Sequence, residues 1–165
     1  MSNIAEYVIT FALAFIISFS ATPIARRIAF RVGGVDIPKD DRRMHSKPIA
    51  LMGGLAIICG FIISLAFDLA TASNIVTPGR EILGLASGIA IIVVMGILDD
   101  IKTLKALAKL LFQVAAAICT VAISGTRISY VTNPFGPDRY IELSEYVSIP
   151  LTIIWIVGIT NAINL

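Results

Sequence analysis

Residues 4–24, IAEYVITFALAFIISFSATPI, carry no Lys or Arg, and their one charge, Glu6, sits at the edge of the run. A helix needs roughly 20 mostly apolar residues to cross the hydrocarbon core of a bilayer, so this run predicts a membrane span. No basic region precedes it and its positive charges follow it, so it does not read as a cleavable signal peptide. Four further runs have the same character, at about 49–69, 82–98, 104–124 and 147–165, the fourth span with Lys105 and Lys109 in its first turns. Five spans of about 20 residues take up roughly 100 residues. The remainder of the 165 supplies loops and leaves no room for a separate soluble domain. Composition points the same way. The chain is 57% hydrophobic and 15% charged, with mean hydropathy +0.90, against about 25% charged residues in soluble domains. That excludes disorder and argues against a water-soluble enzyme. A formal net charge of +2 is too small for a nucleic-acid footprint. Cys59 and Cys119 both lie inside apolar runs and read as small packing residues rather than a disulfide.

Orientation follows from Lys and Arg. The connection after the first span holds Arg26, Arg27, Arg31, Lys39, Arg42, Arg43 and Lys47, and the third connection and the start of span four hold Lys102, Lys105 and Lys109. The opposite side holds only Arg80, Arg127 and Arg139. Ten against three predicts that the first and third connections are cytoplasmic and the N-terminus outside. On the outer side, residues 126–143 alternate on both flanks of Asn133-Pro134-Phe135-Gly136-Pro137 and predict a β-hairpin, read as a lid over the outer face rather than a binding element. The expected fold is therefore an all-α integral membrane protein with about five transmembrane helices and a small external hairpin. Gly84 and Gly88, with Gly96 two turns on, have the spacing that lets helix backbones approach closely.

Three groups of polar residues fall on the predicted cytoplasmic side. Asp99 and Asp100 stand where span three ends. Adjacent carboxylates at an apolar helix end repel one another and face the negative end of the macrodipole. A cation relieves both penalties, and hard oxygen ligands suit Mg²⁺. The plainer reading is a solvated terminus with Lys102 as neighbour. The first connection reads Asp36-Ile37-Pro38-Lys39-Asp40-Asp41-Arg42-Arg43-Met44-His45-Ser46-Lys47-Pro48, followed by Gly53-Gly54. Arg42, Arg43 and Lys47 can complement a polyanion. His45, the only histidine, lies in this basic loop rather than an apolar core. Topology determination and attraction to anionic lipid explain the same charges without a site. The third group is Asn161 and Asn164, three apart on one helix face. Their amides suit a nucleobase or phosphate edge, or a neighbouring helix.

Together these segments resemble the polyprenyl-phosphate N-acetylhexosamine-1-phosphate transferases, relatives of phospho-N-acetylmuramoyl-pentapeptide transferase. Asp36, Pro38, Arg42, Arg43, His45, Pro48, Gly53 and Gly54 look like the family's Asp-x-Pro…Arg…His-x-x-Pro…Gly-Gly loop. Gly96 to Leu104 around the Asp pair, with Lys109 and Gln113 beyond, looks like its Gly-x-x-Asp-Asp motif, and Asn161-Ala162-Ile163-Asn164-Leu165 like the opening of its Asn-Ala-x-Asn-Leu-x-Asp-Gly motif. The loop form favours the UDP-N-acetylglucosamine branch. Ala50 and Ala106 stand where the family often has Pro. The resemblance implies a Mg²⁺-dependent (or Mn²⁺-dependent) enzyme of the cytoplasmic membrane with its active face inside. It would transfer an N-acetylhexosamine 1-phosphate from a UDP-N-acetylhexosamine to a polyprenyl phosphate, releasing UMP. Asp99 and Asp100 would be catalytic and metal-binding. Arg42, Arg43, His45, Lys47, Lys109, Asn161 and Asn164 would bind substrate. Family members are about twice as long, so the chain is expected to be an N-terminal half, inactive alone, that works with a missing C-terminal half or as a homo-oligomer. Two other classes remain: a non-catalytic membrane subunit, and an ion-binding or transport protein.

Overall fold

The computed structural model describes residues 3–37, 47–71, 79–134, 136 and 139–163. The elements are α1 (Asn3–Val32), β1 (Val35–Asp36), β2 (Ile49–Ala50), α2 (Gly53–Ala70), α3 (Arg80–Lys102), α4 (Ala106–Ser124), β3 (Tyr130–Thr132), β4 (Tyr140–Glu142) and α5 (Glu145–Ile163). All five helices are long and apolar enough to cross a membrane. The expected class, an all-α multi-pass membrane protein with a small hairpin, is the one observed.

Large apolar side chains point outward. Phe11 and Phe19 are more than 70% exposed and Trp155 is 60% exposed, while the buried apolar positions are mostly alanines such as Ala25, Ala29, Ala56, Ala116 and Ala117. In water this would be inside out. In a bilayer, lipid tails cover the large side chains and helices associate through small residues that allow close packing.

The helices fall into two compact units. In the first, α1 meets α2 at Gly60, where a Cβ would collide with Ser18 Oγ and lie 2.5 Å from Ala14 O. The helix α1 runs on past the apolar run to Val32. Arg is a good helix former with an apolar stem that reaches to the interface, so charge alone does not end the helix. Gly33 ends it at φ +83°, and the Gly34 N–H closes back on Ala29 O at 2.9 Å, a Schellman-type stop. The second span starts later than its apolar run. Ile49 and Ala50 pair antiparallel with Asp36 and Val35 instead of entering the helix. The Leu51 N–H donates to Gly34 O at 3.0 Å, and Met52 is buried over Gly34, where a Cβ would sit 3.1 Å from its Cε. This clasp fixes both ends of the first connection.

In the second unit, α3 and α4 close through the expected glycines. A Cβ on Gly84 would lie 2.6 Å from Ser124 Cβ, and one on Gly88 would collide with Thr120 Oγ1. Among the described residues nothing lies within 4 Å of that position on Gly96. The hairpin forms with Val131 opposite Ile141, and Tyr130 and Tyr140 meet across it at 5.7 Å. Its strands are shorter than the alternating pattern. Ile128 spends its backbone groups on α5: its N–H donates to Thr152 Oγ1 at 2.9 Å and its carbonyl accepts from Ser148 Oγ at 2.5 Å. An ion pair, Arg127 to Glu145 at 2.7 Å, fastens the same corner. Both cysteines are free.

Candidate active site

Asp99 and Asp100 occupy the last turn of α3, both half-buried. The chain leaves the helix through Thr103, which adopts φ +48°. That left-handed residue turns the backbone so that the Leu104 N–H reaches Asp99 Oδ1 at 2.8 Å, while the Thr103 N–H stays on Asp99 O at 2.8 Å. Asp99 therefore accepts from the turn with both its side chain and its carbonyl. The donated N–H offsets part of the penalty of a carboxylate at a helix C-terminus. Lys105 follows in extended conformation and opens α4 without a side-chain cap.

The donor set fits a magnesium ion. Among the described residues no group of three or more His, Cys, Asp or Glu side chains is placed to hold a metal. Mg²⁺ does not need such a cage, because it keeps several waters and takes one or two carboxylates together with substrate phosphates. Two adjacent hard carboxylates at a membrane interface match that demand. A tetrahedral Zn²⁺ site would need more protein ligands.

Asp99 and Asp100 belong to the first unit; Lys109, Gln113 and Asn161 belong to the second and are described by themselves. Lys109 is half-buried and stands one helical turn before Gln113, on the same face of α4. Gln113 is 3% exposed. Its Oε1 accepts from Asn161 Nδ2 at 2.7 Å, and the same amide nitrogen also donates to Val157 O at 2.9 Å. The amide nitrogen of Asn161 is thus engaged between α4 and α5. Lys47 is exposed at the entry to β2. Arg42, Arg43, His45 and Asn164 lie outside the described residues.

Two polar residues were not assigned roles from sequence. Gln113 is the amide partner of Asn161, and its signal was the lone side-chain amide of a mostly apolar helix. Asp68 is 3% exposed within the last turns of α2, a carboxylate inside an apolar run. It lies at the opposite end of α2 from the clasp.

A profile described as glycosyl transferase family 4 matches residues 82–165, just over half of the chain, and takes in Asp99, Asp100, Lys109, Gln113 and Asn161. The chain belongs to glycosyl transferase family 4. Three curated members of polyprenyl-phosphate type align with it. A probable undecaprenyl-phosphate N-acetylglucosaminyl 1-phosphate transferase of Bacillus subtilis is 42% identical over 97% of this chain and 43% of the relative. A decaprenyl-phosphate N-acetylglucosaminephosphotransferase of Mycobacterium tuberculosis is 35% identical over 92% of this chain and 37% of the relative. An undecaprenyl-phosphate alpha-N-acetylglucosaminyl 1-phosphate transferase of Yersinia pestis is 25% identical over the whole of this chain and 41% of the relative. The chain thus spans about two-fifths of the length of these glycosyl transferase family 4 relatives. No solved structure matches it.

Proposed function

We propose that this chain serves the transfer of N-acetylglucosamine 1-phosphate from UDP-N-acetylglucosamine to a polyprenyl phosphate, with release of UMP, at the inner face of the cytoplasmic membrane. The observation that carries the reading is the placement of Asp99 and Asp100, held by the Thr103 turn at the end of a membrane-length helix, in a chain of glycosyl transferase family 4. The Lys and Arg distribution supports the cytoplasmic placement of that end.

The reaction joins an oxygen of the lipid phosphate to the sugar-bearing phosphorus. The bond from that phosphorus to the UMP oxygen breaks, and UMP leaves with the electron pair. Such a transfer asks the protein chiefly for positioning and charge neutralisation. Mg²⁺ would offset the pyrophosphate charge, and Asp99 and Asp100 are the residues that would hold it. Asp99 is oriented by the Leu104 N–H. We assign to the Asp pair the further role of orienting the lipid phosphate and taking its proton. Arg42, Arg43, His45 and Lys47 are assigned to the phosphates, and Lys109, Asn161 and Asn164 to the nucleotide. For Asn161, the bond to Gln113 supports a side chain held in one position, and we assign its carbonyl oxygen to the nucleotide.

The test uses membranes of cells that make the protein from its own gene, supplied with UDP-N-acetylglucosamine and polyprenyl phosphate. UMP release is followed with Mg²⁺ and with excess chelator. Asp99→Asn and Asp100→Asn should each lower turnover at least about 100-fold, in the range seen when one electrostatic contact to a transition state is removed, while membrane insertion is unchanged. Near-normal turnover in both variants removes the Asp pair from the mechanism. Undiminished release in chelator removes the metal.

A further inference from the structure

The C-terminal end of α1 carries three guanidinium groups to which the proposed transfer assigns no role. Thr22, Pro23, Arg26, Arg27, Phe30 and Arg31 line a concavity of about 590 Å³ on one face of that helix. Their spacing forms two adjacent rows at four-residue intervals. The opposite side of the helix carries Ala25 and Ala29, which are buried. The concave face is therefore turned away from the packed seam, and all six lining residues are exposed. Among the described residues no carboxylate pairs with Arg26, Arg27 or Arg31; the one electrostatic contact there is Arg26 over the Phe30 ring at 5.8 Å.

Depth identifies the setting. A 30-residue helix is about 45 Å long, and the hydrocarbon core is about 30 Å thick. The first two-thirds of α1 fills the core, which leaves the Arg-bearing last turns at the level of the headgroups. Three cations there, without a carboxylate partner among the described residues, call for anions, and Arg offers its planar fork to phosphate oxygens. Ile24, Ile28 and Phe30, each at least 40% exposed, surround the same turns with apolar surface.

We propose that this face of α1 docks an anionic glycerophospholipid of the bilayer, with its headgroup phosphate held by Arg26, Arg27 and Arg31 and its acyl chains along the exposed Ile and Phe side chains. The proposal goes beyond the transferase reading and does not depend on it. Chemistry favours this occupant over a free phosphate, which gains nothing from the apolar flank.

The purified chain in detergent, titrated with phosphatidylglycerol and separately with phosphatidylcholine, gives lipid retention by native mass spectrometry. Phosphatidylglycerol should be held at least about tenfold more tightly. Each Arg near an anionic surface contributes on the order of fivefold in affinity, so Arg26→Gln/Arg27→Gln/Arg31→Gln should weaken retention about a hundredfold. Arg139→Gln, in the hairpin, should leave it unchanged. The triple Lys variant keeps the charge, and with it insertion and orientation, but loses the forks; it should bind measurably more weakly than wild type. Equal retention of the two lipids, an unaffected Gln variant, or a Lys variant equal to wild type would overturn the proposal. So would displacement of bound phosphatidylglycerol by an equimolar polyprenyl phosphate or by inorganic phosphate. Because the readout is lipid retention and not UMP release, failure here leaves the transferase reading standing, and the reverse also holds.

Discussion

Thr103 holds a backbone conformation that a β-branched residue rarely adopts, at φ +48°. A left-handed residue other than glycine costs about 1–2 kcal/mol, and this one turns Leu104 toward Asp99. Thr103→Gly should therefore raise the stability of the detergent-solubilised protein by about 1 kcal/mol in an unfolding titration; a loss of stability would mean that the Thr side chain makes an offsetting contact. A second residue-scale prediction concerns the amide pair. Interhelical hydrogen bonds in membranes average about 0.6 kcal/mol and reach about 1.7. A double-mutant cycle on Gln113→Leu and Asn161→Leu should return a coupling of that size, and a coupling near zero would remove the pair as a link between α4 and α5. The Asp pair was legible in the sequence, because two adjacent charges interrupt an apolar run. The turn that orients it was not, since nothing in Lys102-Thr103-Leu104 marks a left-handed residue. Nor was the Gln113 to Asn161 bond, because two amides 48 positions apart meet only once helix faces are paired.

Helix contacts depend on which glycines face a neighbour, and only some of that is written locally. Gly84 and Gly88 announced themselves by their spacing and do face Thr120 and Ser124. Gly60 has no second glycine four residues away, yet it meets Ala14 and Ser18 as closely. Gly96 keeps the helical spacing, and among the described residues nothing lies within 4 Å of a Cβ placed on it. Side-chain substitution should separate these cases. Gly60→Leu and Gly84→Leu force backbone apart and should each cost at least about 1–3 kcal/mol, the range for overpacking. Gly96→Ala should be neutral or stabilise by up to about 1 kcal/mol, since alanine favours the helix over glycine. Thermal unfolding of the four proteins, wild type included, in one detergent would check the order; a Gly96→Ala protein less stable than Gly60→Leu contradicts the assigned contacts. Helix ends differ from the ends of the apolar runs for a related reason. Apolar runs mark what lies in lipid, whereas helices end where the backbone is turned, as at Gly33 and Gly125. That is why α1 continues through three arginines and why Ile49 and Ala50 leave the helical run to pair with β1.

For the molecule as a whole, the prediction concerns orientation. The connection after the first span, bounded by the clasp of β1 and β2, and the connection after the Asp pair with the start of the fourth span hold ten Lys and Arg; the second and fourth connections hold three. Short loops follow the positive-inside bias. The connections holding ten should therefore be cytoplasmic, where a nucleotide-linked sugar is available, and the hairpin outside. Single cysteines test this in a background with Cys59 and Cys119 changed to Ala. Lys47→Cys reports the first connection and lowers the positive count only from ten to nine; Tyr140→Cys, at a position 53% exposed in the hairpin, reports the fourth. In intact cells an impermeant thiol reagent should label the Tyr140 position and leave the Lys47 position unmodified until the membrane is opened. Labelling of the Lys47 position from outside, with protection of the Tyr140 position, would invert the molecule. It would put the Asp pair on the side without UDP-sugar, and the transferase reading would fall with the orientation.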